Sequence, residues 1–179
     1  MSLLIANTDL VLWQDLVKKA EESCHIDLEK DLEAYLVSLL IHYMDKPELV
    51  KQLFAKTFLQ ALDLETHARD FALREIGDKC LIYSGLFPKS VYKKQVTISY
   101  FVHLGQSSYA NVSNVSKAAT DIYQLLASQF VSLMDILQSI RLQPDMLPLE
   151  AYEQWTEVGS KRALRILQTY TKGAPAKRN

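Results

Sequence analysis

The sequence has few of the residues that interrupt regular secondary structure. Only five glycines and five prolines occur in 179 residues, so little of the chain is suited to turns. Strand-like alternation of apolar and polar residues is limited to Gln95–Tyr100. Apolar residues at 49% and charged residues at 23% are typical of a globular chain and exclude a disordered one. Together these absences predict an all-α fold.

Cysteine and long apolar runs are also scarce. Cys24 and Cys80 are the only cysteines and form no CxxC motif, which excludes a disulfide scaffold and the common zinc and redox motifs. The most apolar run, Tyr35–Met44, is half the ~20 residues that a membrane span needs. No basic segment precedes an apolar stretch at the N-terminus, so we expect no export signal. We therefore expect a cytoplasmic protein with reduced thiols and no membrane span.

Helical periodicity predicts an irregular bundle of six or seven helices. We expect a single domain over residues 1–171 and a flexible basic tail over 172–179. The clearest pattern predicts a long central helix at about 117–142, where apolar residues alternate steps of four and three: Ala119, Tyr123, Leu126, Phe130, Leu133, Leu137 and Ile140. This pattern is compatible with the core of a bundle and with the seam of a homodimer, and both interpretations stay open.

Two predicted helices, 64–86 and 98–112, carry small residues at helical spacing: Gly77, Cys80 and Ser84 in the first, and Gly105 and Ser108 in the second. Glycine within a helix costs about 1 kcal/mol relative to alanine, so its presence indicates close packing or room for a ligand. If the second explanation holds, the candidate ligand-binding residues are Tyr83, Ser84, Gly85, Tyr100, Gly105 and Tyr109.

Acidic residues are absent between Lys79 and Thr120. Lys89, Lys93 and Lys94 lie just before a predicted helix N-terminus, where free amide groups favour anions. These lysines are candidate anion-binding residues, with a solvated basic loop as the alternative. The overall pI of about 6.4 makes nucleic-acid binding unexpected.

Metal-binding patterns are weak. Asp63, His67 and Asp70 share a helix face, a spacing that suits either a metal ion or a polar outer surface. Glu22 and His25 form one Glu-x-x-His motif, but a di-iron bundle needs two. Hydrolase and nucleotide-binding motifs are absent as well. We therefore predict no cofactor and no metal.

One segment has a recognisable pattern. It contains the pair Gly77-Asp78, then Ser84-Gly-Leu-Phe87, then Tyr100, Gly105 and Tyr109 at Tyr-x4-Gly-x3-Tyr spacing. This arrangement resembles a pattern in an uncharacterised bacterial family of all-helical proteins with no assigned activity. The resemblance covers residues 74–109 and implies a bacterial, helical protein, with no catalytic role for any residue.

These observations predict a non-enzymatic binding, adaptor or regulatory module that acts as a homo-oligomer or with a protein partner. The first alternative is a binder of a small or lipid-like molecule, with its pocket between helices 64–86 and 98–112. The second is a metal-dependent helical-bundle enzyme that uses Asp63, His67 and Asp70, or Glu22 and His25.

Overall fold

The protein forms helices where apolar residues recur at helical spacing in the sequence. The computed structural model describes residues 2–44, 54–89, 96–113, 116–140 and 146–171. These residues form nine α-helices and no strand: α1 Ser2–Cys24, α2 Lys30–Met44, α3 Phe54–Leu62, α4 Thr66–Leu86, α5 Ile98–Ala110, α6 Lys117–Ser128, α7 Phe130–Ile140, α8 Pro148–Val158 and α9 Lys161–Tyr170. The predicted all-α fold class is confirmed.

The second half of α4 lies at the centre of the bundle. Every residue from Ile76 to Leu86 is buried, because α4 is covered by α2, α3, α5 and α7. A helix surrounded in this way needs small residues where a neighbour comes close. A Cβ atom on Gly77 would lie 2.6 Å from the Tyr109 ring, and one on Gly85 would lie 2.5 Å from Leu137. The glycines of α4 therefore allow these side chains to pack directly on its backbone.

The predicted long helix at 117–142 is wrong in one respect, because it is two helices. Gln129 has φ −102° and ψ 15°, which ends α6, and α7 begins at Phe130. The amide of Gln129 still donates to the carbonyl of Leu125, so the break does not cost that bond. Directly after the break, the ring of Phe130 lies against Gly105, where an added Cβ would be 2.4 Å from it. Residues 141 and 142 lie outside the described residues.

The apolar seam of α6 and α7 is part of the core of a single chain. Leu126, Phe130, Leu133 and Leu137 are completely buried, and α7 packs against α1 and α4. The bundle-core interpretation accounts for the periodicity. A homodimer stays a prediction, and these side chains are already enclosed within the chain.

The C-terminal region consists of two short helices, α8 and α9, joined at Gly159 and Ser160. Gly159 adopts φ 74° and ends α8, and the hydroxyl of Ser160 accepts a hydrogen bond from the amide of Ala163 to begin α9. Glycine tolerates this left-handed conformation and serine is a favoured N-cap, so the sequence did contain the signal. The resulting hairpin has a small core of its own: Met146, Ala151, Ala163 and Leu167. The tail at 172–179 lies outside the described residues.

Both cysteines have packing roles. Cys24 and Cys80 are buried and free, and burial raises the pKa of each thiol. Among the helices that the structure describes, none is both long enough and apolar enough to cross a bilayer.

Candidate functional site

A pocket of about 360 Å³ opens between α2 and α4. Its walls come from a single face of each helix, because residues three, four and seven positions apart are neighbours on a helix surface. From α2 they are Tyr35, Ser38, Leu39, His42 and Tyr43; from α4 they are Phe71, Arg74, Glu75 and Asp78. The exposed side chains of Ser38, His42 and Phe71 lie at the mouth of the pocket, and buried Asp78 and Tyr43 lie deep within it.

The floor of the pocket is a carboxylate held by two phenols. Asp78 is 8% exposed, and its Oδ1 accepts a 2.6 Å hydrogen bond from the Tyr35 hydroxyl and a 2.8 Å bond from the Tyr109 hydroxyl. Both bonds end on Oδ1, so Oδ2 takes part in neither. The three side chains come from α2, α4 and α5, and they fix the carboxylate at the point where these helices meet.

Burial and hydrogen bonding act on Asp78 in opposite directions. Burial raises the pKa of its carboxyl to about 6, while the bonds from Tyr35 and Tyr109 and the charge of Arg74 lower it and thereby limit the rise. At neutral pH the carboxylate is therefore mainly ionised. Burial, and to a smaller extent the negative charge of Asp78, raises the pKa of both phenols. Tyr35 and Tyr109 therefore stay neutral hydrogen-bond donors.

A cluster of three tyrosine rings holds these donors in place. Tyr35 meets Tyr109 and Tyr123 edge to face, with centroid distances of 6.5 and 6.3 Å, and Tyr109 stacks on Tyr123 at 6.1 Å. Both arrangements are favourable for aromatic pairs. The ring of Tyr109 also fills the space above Gly77, which has no Cβ atom to exclude it. The Gly-Asp pair of α4 thus has two functions: Gly77 admits the ring, and Asp78 accepts its hydroxyl.

Arg74 supplies a positive charge one helical turn before Asp78. Its guanidinium lies 5.3 Å from the centre of the Phe71 ring, a cation–π distance. Burial lowers the pKa of Arg74, but a hydrogen bond with Tyr123 and the charge of Asp78 raise it on balance. The other carboxylate of the pocket, Glu75, is paired with Lys79 at 2.9 Å. In the part of the chain that the structure describes, Arg74 and Asp78 form no ion pair within 4 Å.

The six ligand-binding residues predicted from sequence do not line this pocket. Tyr83 is buried, with its ring centroid 5.1 Å from that of Phe101. The hydroxyl of Ser84 donates a hydrogen bond to the carbonyl of Cys80. Where Gly85 and Gly105 lack a Cβ atom, the space is taken by Leu137 and Phe130. Tyr100 is 37% exposed. Tyr109 is buried behind the lining and donates a hydrogen bond to Asp78, which does line the pocket.

The predicted metal and anion candidates lie elsewhere. Asp63 is exposed in the turn after α3, His67 is exposed in the first turn of α4, and buried Asp70 accepts a 3.4 Å bond from the amide of Ser113. Among the described residues, no three His, Cys, Asp or Glu side chains form a group that could hold a metal ion. Lys89 is exposed near the end of α4, whereas Lys93 and Lys94 lie outside the described residues.

Sequence reasoning missed Tyr35, Arg74 and Asp78 as members of one site. Two signals were present: Asp78 falls on a helix otherwise rich in small and apolar residues, and Tyr35 shares the apolar face of α2. Neither signal brings the two residues together, because they are separated by 43 positions in the chain.

A second buried polar cluster joins α4 and α7 to the α8–α9 hairpin. Asp135 on α7 accepts a 2.6 Å bond from the Ser160 hydroxyl and a 3.2 Å bond from the Arg162 amide, at the N-terminus of α9. The neighbouring Gln138 donates to the carbonyl of Ser84 and to Gln154. Burial raises the pKa of Asp135, and its bonds to Ser160 and Arg162 oppose that change. Because these groups are satisfied by the protein, we assign the cluster to docking of the α8–α9 hairpin.

The α2–α4 pocket is therefore the candidate functional site, argued from its own geometry. Comparison with protein-family models, with curated proteins and with solved structures finds no match to this chain.

Proposed function

We propose that this protein is a non-enzymatic binding module that takes a small polar molecule into the α2–α4 pocket. The observation that carries the proposal is the buried Asp78 carboxylate, which two tyrosines from different helices hold at the floor of an open pocket. Burying a charge costs free energy, and this carboxylate is buried where it lines the pocket and can pair with a ligand.

The size and lining of the pocket support binding. Its volume of about 360 Å³ falls within the ~300–1,000 Å³ typical of small-molecule sites. Aromatic rings supply the apolar contacts, and a few polar groups from Ser38, Arg74 and Asp78 supply orientation. A lipid-like ligand, the earlier alternative, fits less well because the charged side chains of Arg74, Glu75 and Asp78 are part of the pocket lining.

Binding is favoured over catalysis by the state of the reactive groups. The Ser38 hydroxyl donates to the carbonyl of Ala34 in its own helix, at 2.9 Å. The two buried thiols lie outside the pocket lining. Asp78 is fixed by two donors, which suits a permanent acceptor for a ligand. A protein partner or a second copy of the chain stays compatible with this role.

Equilibrium dialysis tests the proposal. The protein is dialysed against a protein-free extract of cell metabolites, and retained compounds are identified by mass spectrometry. Ser38→Trp places a large ring in the pocket from an exposed position on α2, without removing any charge. Ser107→Trp, at an exposed position on α5, is the matched control.

We expect the wild type and Ser107→Trp to retain the same compound in stoichiometric amount, and Ser38→Trp to lose it. Retention of no compound by the wild type would refute the proposal. Equal retention by Ser38→Trp would place the binding site elsewhere.

A further inference from the structure

The α2–α4 pocket presents charges of opposite sign on one helix face. Arg74 and Asp78 are four residues apart on α4, which makes them neighbours one turn apart. Each affects the pKa of the other, yet no direct ion pair closes the space between them in the described part of the chain. Both side chains line the pocket, both tyrosine bonds end on Oδ1 of Asp78, and the bond with Tyr123 uses only part of the five N–H donors of Arg74. Each charge can therefore also pair with a group of a ligand.

This arrangement excludes three simpler ligand classes. A polyanion such as a nucleotide would bring its phosphates against Asp78 and Glu75, with Arg74 as the one arginine in the lining. A plain organic cation would meet the guanidinium of Arg74 beside Phe71. An apolar molecule would remove water from Arg74 and Asp78 without replacing their hydrogen bonds, which costs free energy.

The walls limit the size of the ligand and favour an apolar body. The pocket volume of about 360 Å³ equals that of roughly a dozen water molecules at ~30 Å³ each. The aromatic side chains of Tyr35, Tyr43 and Phe71 line this space. Burial raises the pKa of Tyr43, so its hydroxyl also stays neutral.

We propose that the ligand is a small zwitterion, a molecule with an ammonium group and a carboxylate a few bonds apart, as in a free amino acid. This inference rests on the proposed function. The ammonium group donates to Asp78, the carboxylate accepts from Arg74, and the body of the ligand lies against the rings of Tyr35 and Phe71. Such a ligand has no net charge, which suits a pocket in which the positive charge of Arg74 and the negative charge of Asp78 cancel.

Isothermal titration calorimetry with matched probes tests this assignment. The probes are the free L-amino acids, together with two derivatives of L-phenylalanine that each keep one charge. N-acetyl-L-phenylalanine is an anion, and L-phenylalaninamide is a cation. We expect at least one free amino acid to bind, and we expect each single-charge derivative of phenylalanine to bind about tenfold or more weakly than phenylalanine itself.

Two variants separate the roles of the two charges. Asp78→Asn keeps the shape of the side chain and removes its charge, and Arg74→Gln removes the guanidinium at an exposed position. We expect each to weaken binding of the preferred amino acid by about ten- to hundredfold, the value of one charge-assisted hydrogen bond. Lys161→Gln, exposed on α9, is the control and leaves affinity unchanged. Circular dichroism verifies that each variant is folded.

The outcomes distinguish this inference from the proposed function. If a singly charged or apolar compound binds and no free amino acid does, the zwitterion assignment is wrong and the binding function stands. If Arg74→Gln and Asp78→Asn bind the amino acid as tightly as the wild type, the assignment of the two charges is also wrong. If no probe binds and dialysis retains nothing, both proposals fail.

Discussion

The Tyr35 hydroxyl donates a 2.6 Å hydrogen bond to Oδ1 of Asp78, which ties α2 to α4 at the floor of the pocket. Tyr109 adds a second bond to the same oxygen from α5. One carboxylate thus holds three helices together and also gives the pocket its negative charge. Its ionisation should therefore affect both folding and binding.

Asp78 makes stability depend on pH. Because burial raises its folded-state pKa from 3.8 to about 6, the folded protein binds this proton more tightly than the unfolded chain does. The contribution of Asp78 to stability is therefore complete below pH 3.8 and declines as pH rises through about 6. A difference of about two pKa units corresponds to about 3 kcal/mol.

Urea unfolding of the wild type and Asp78→Asn across this pH range measures the effect. We expect the wild type to lose about 2 kcal/mol relative to the variant as pH rises from 4 to 7, because the variant has no titrating group at this position and the unfolded wild type is already partly ionised at pH 4. Subtracting the free energy of unfolding of the variant from that of the wild type at each pH removes the contributions of the other titrating groups. A difference that is independent of pH would show that Asp78 does not titrate in this range.

Removal of either phenol hydroxyl should destabilise the protein most when Asp78 is ionised. Tyr109→Phe leaves the buried carboxylate with one donor, and we expect a loss of about 1–3 kcal/mol at pH 8. The loss should be smaller at pH 4, where the carboxyl is protonated. Tyr100→Phe, at a residue that is 37% exposed, is the control and should change stability by less than about 0.5 kcal/mol. Equal losses for the two variants would show that the bond to Asp78 contributes nothing.

Gly105 should not tolerate a methyl group. A Cβ atom would lie 2.4 Å from the Phe130 ring and 3.0 Å from the Cβ of Cys80. We expect Gly105→Ala to cost about 1–3 kcal/mol, because overpacking outweighs the gain of about 1 kcal/mol in helix propensity. Thermal unfolding measures the change, with Ser107→Ala on the exposed side of α5 as control.

A second substitution tests the cause of that loss. Phe130→Leu shortens the side chain that an alanine at 105 would meet, so the two changes together should be less destabilising than the sum of their separate effects. Simple additivity would mean that the ring of Phe130 is not what excludes a larger residue at position 105.

The C-terminal hairpin should detach when its polar anchor is removed. Asp135→Ala leaves Ser160 and the amide of Arg162 without their buried acceptor. We expect amide hydrogen exchange to accelerate in α8 and α9 and to stay slow in the centre of α4. Gln168→Ala, at an exposed position on α9, should leave the exchange pattern unchanged. Uniform acceleration across the whole protein would mean that the hairpin unfolds together with the bundle.

The fold was largely predictable from local signals, whereas the site was not. Thr97 caps α5 as its position before an apolar helix suggests, and it accepts a bond from the amide of Tyr100. The break at Gln129 has no such signal, since neither glycine nor proline is present. The residue after the break, Phe130, packs its ring against Gly105, a contact between distant parts of the chain that local sequence does not reveal.

The small-residue pattern shows the same limit of local reasoning. Gly77 and Gly105 were correctly identified as positions that need space, but sequence spacing does not say what fills it. The structure places Tyr109 and Phe130 there. The pocket lies on the neighbouring face of α4, where Arg74 and Asp78 meet α2, and only the packing of the two helices brings these residues together.

The most direct test of the central claim is native mass spectrometry of the protein as purified, together with Ser38→Trp purified in the same way. We predict that part of the wild type carries one small molecule above the 20.4 kDa chain or a multiple of it, and that the variant does not. Mild activation that releases this molecule would give its mass directly. An identical bound mass on Ser38→Trp, or bare chains for both proteins after addition of the metabolite extract, would contradict binding in the α2–α4 pocket.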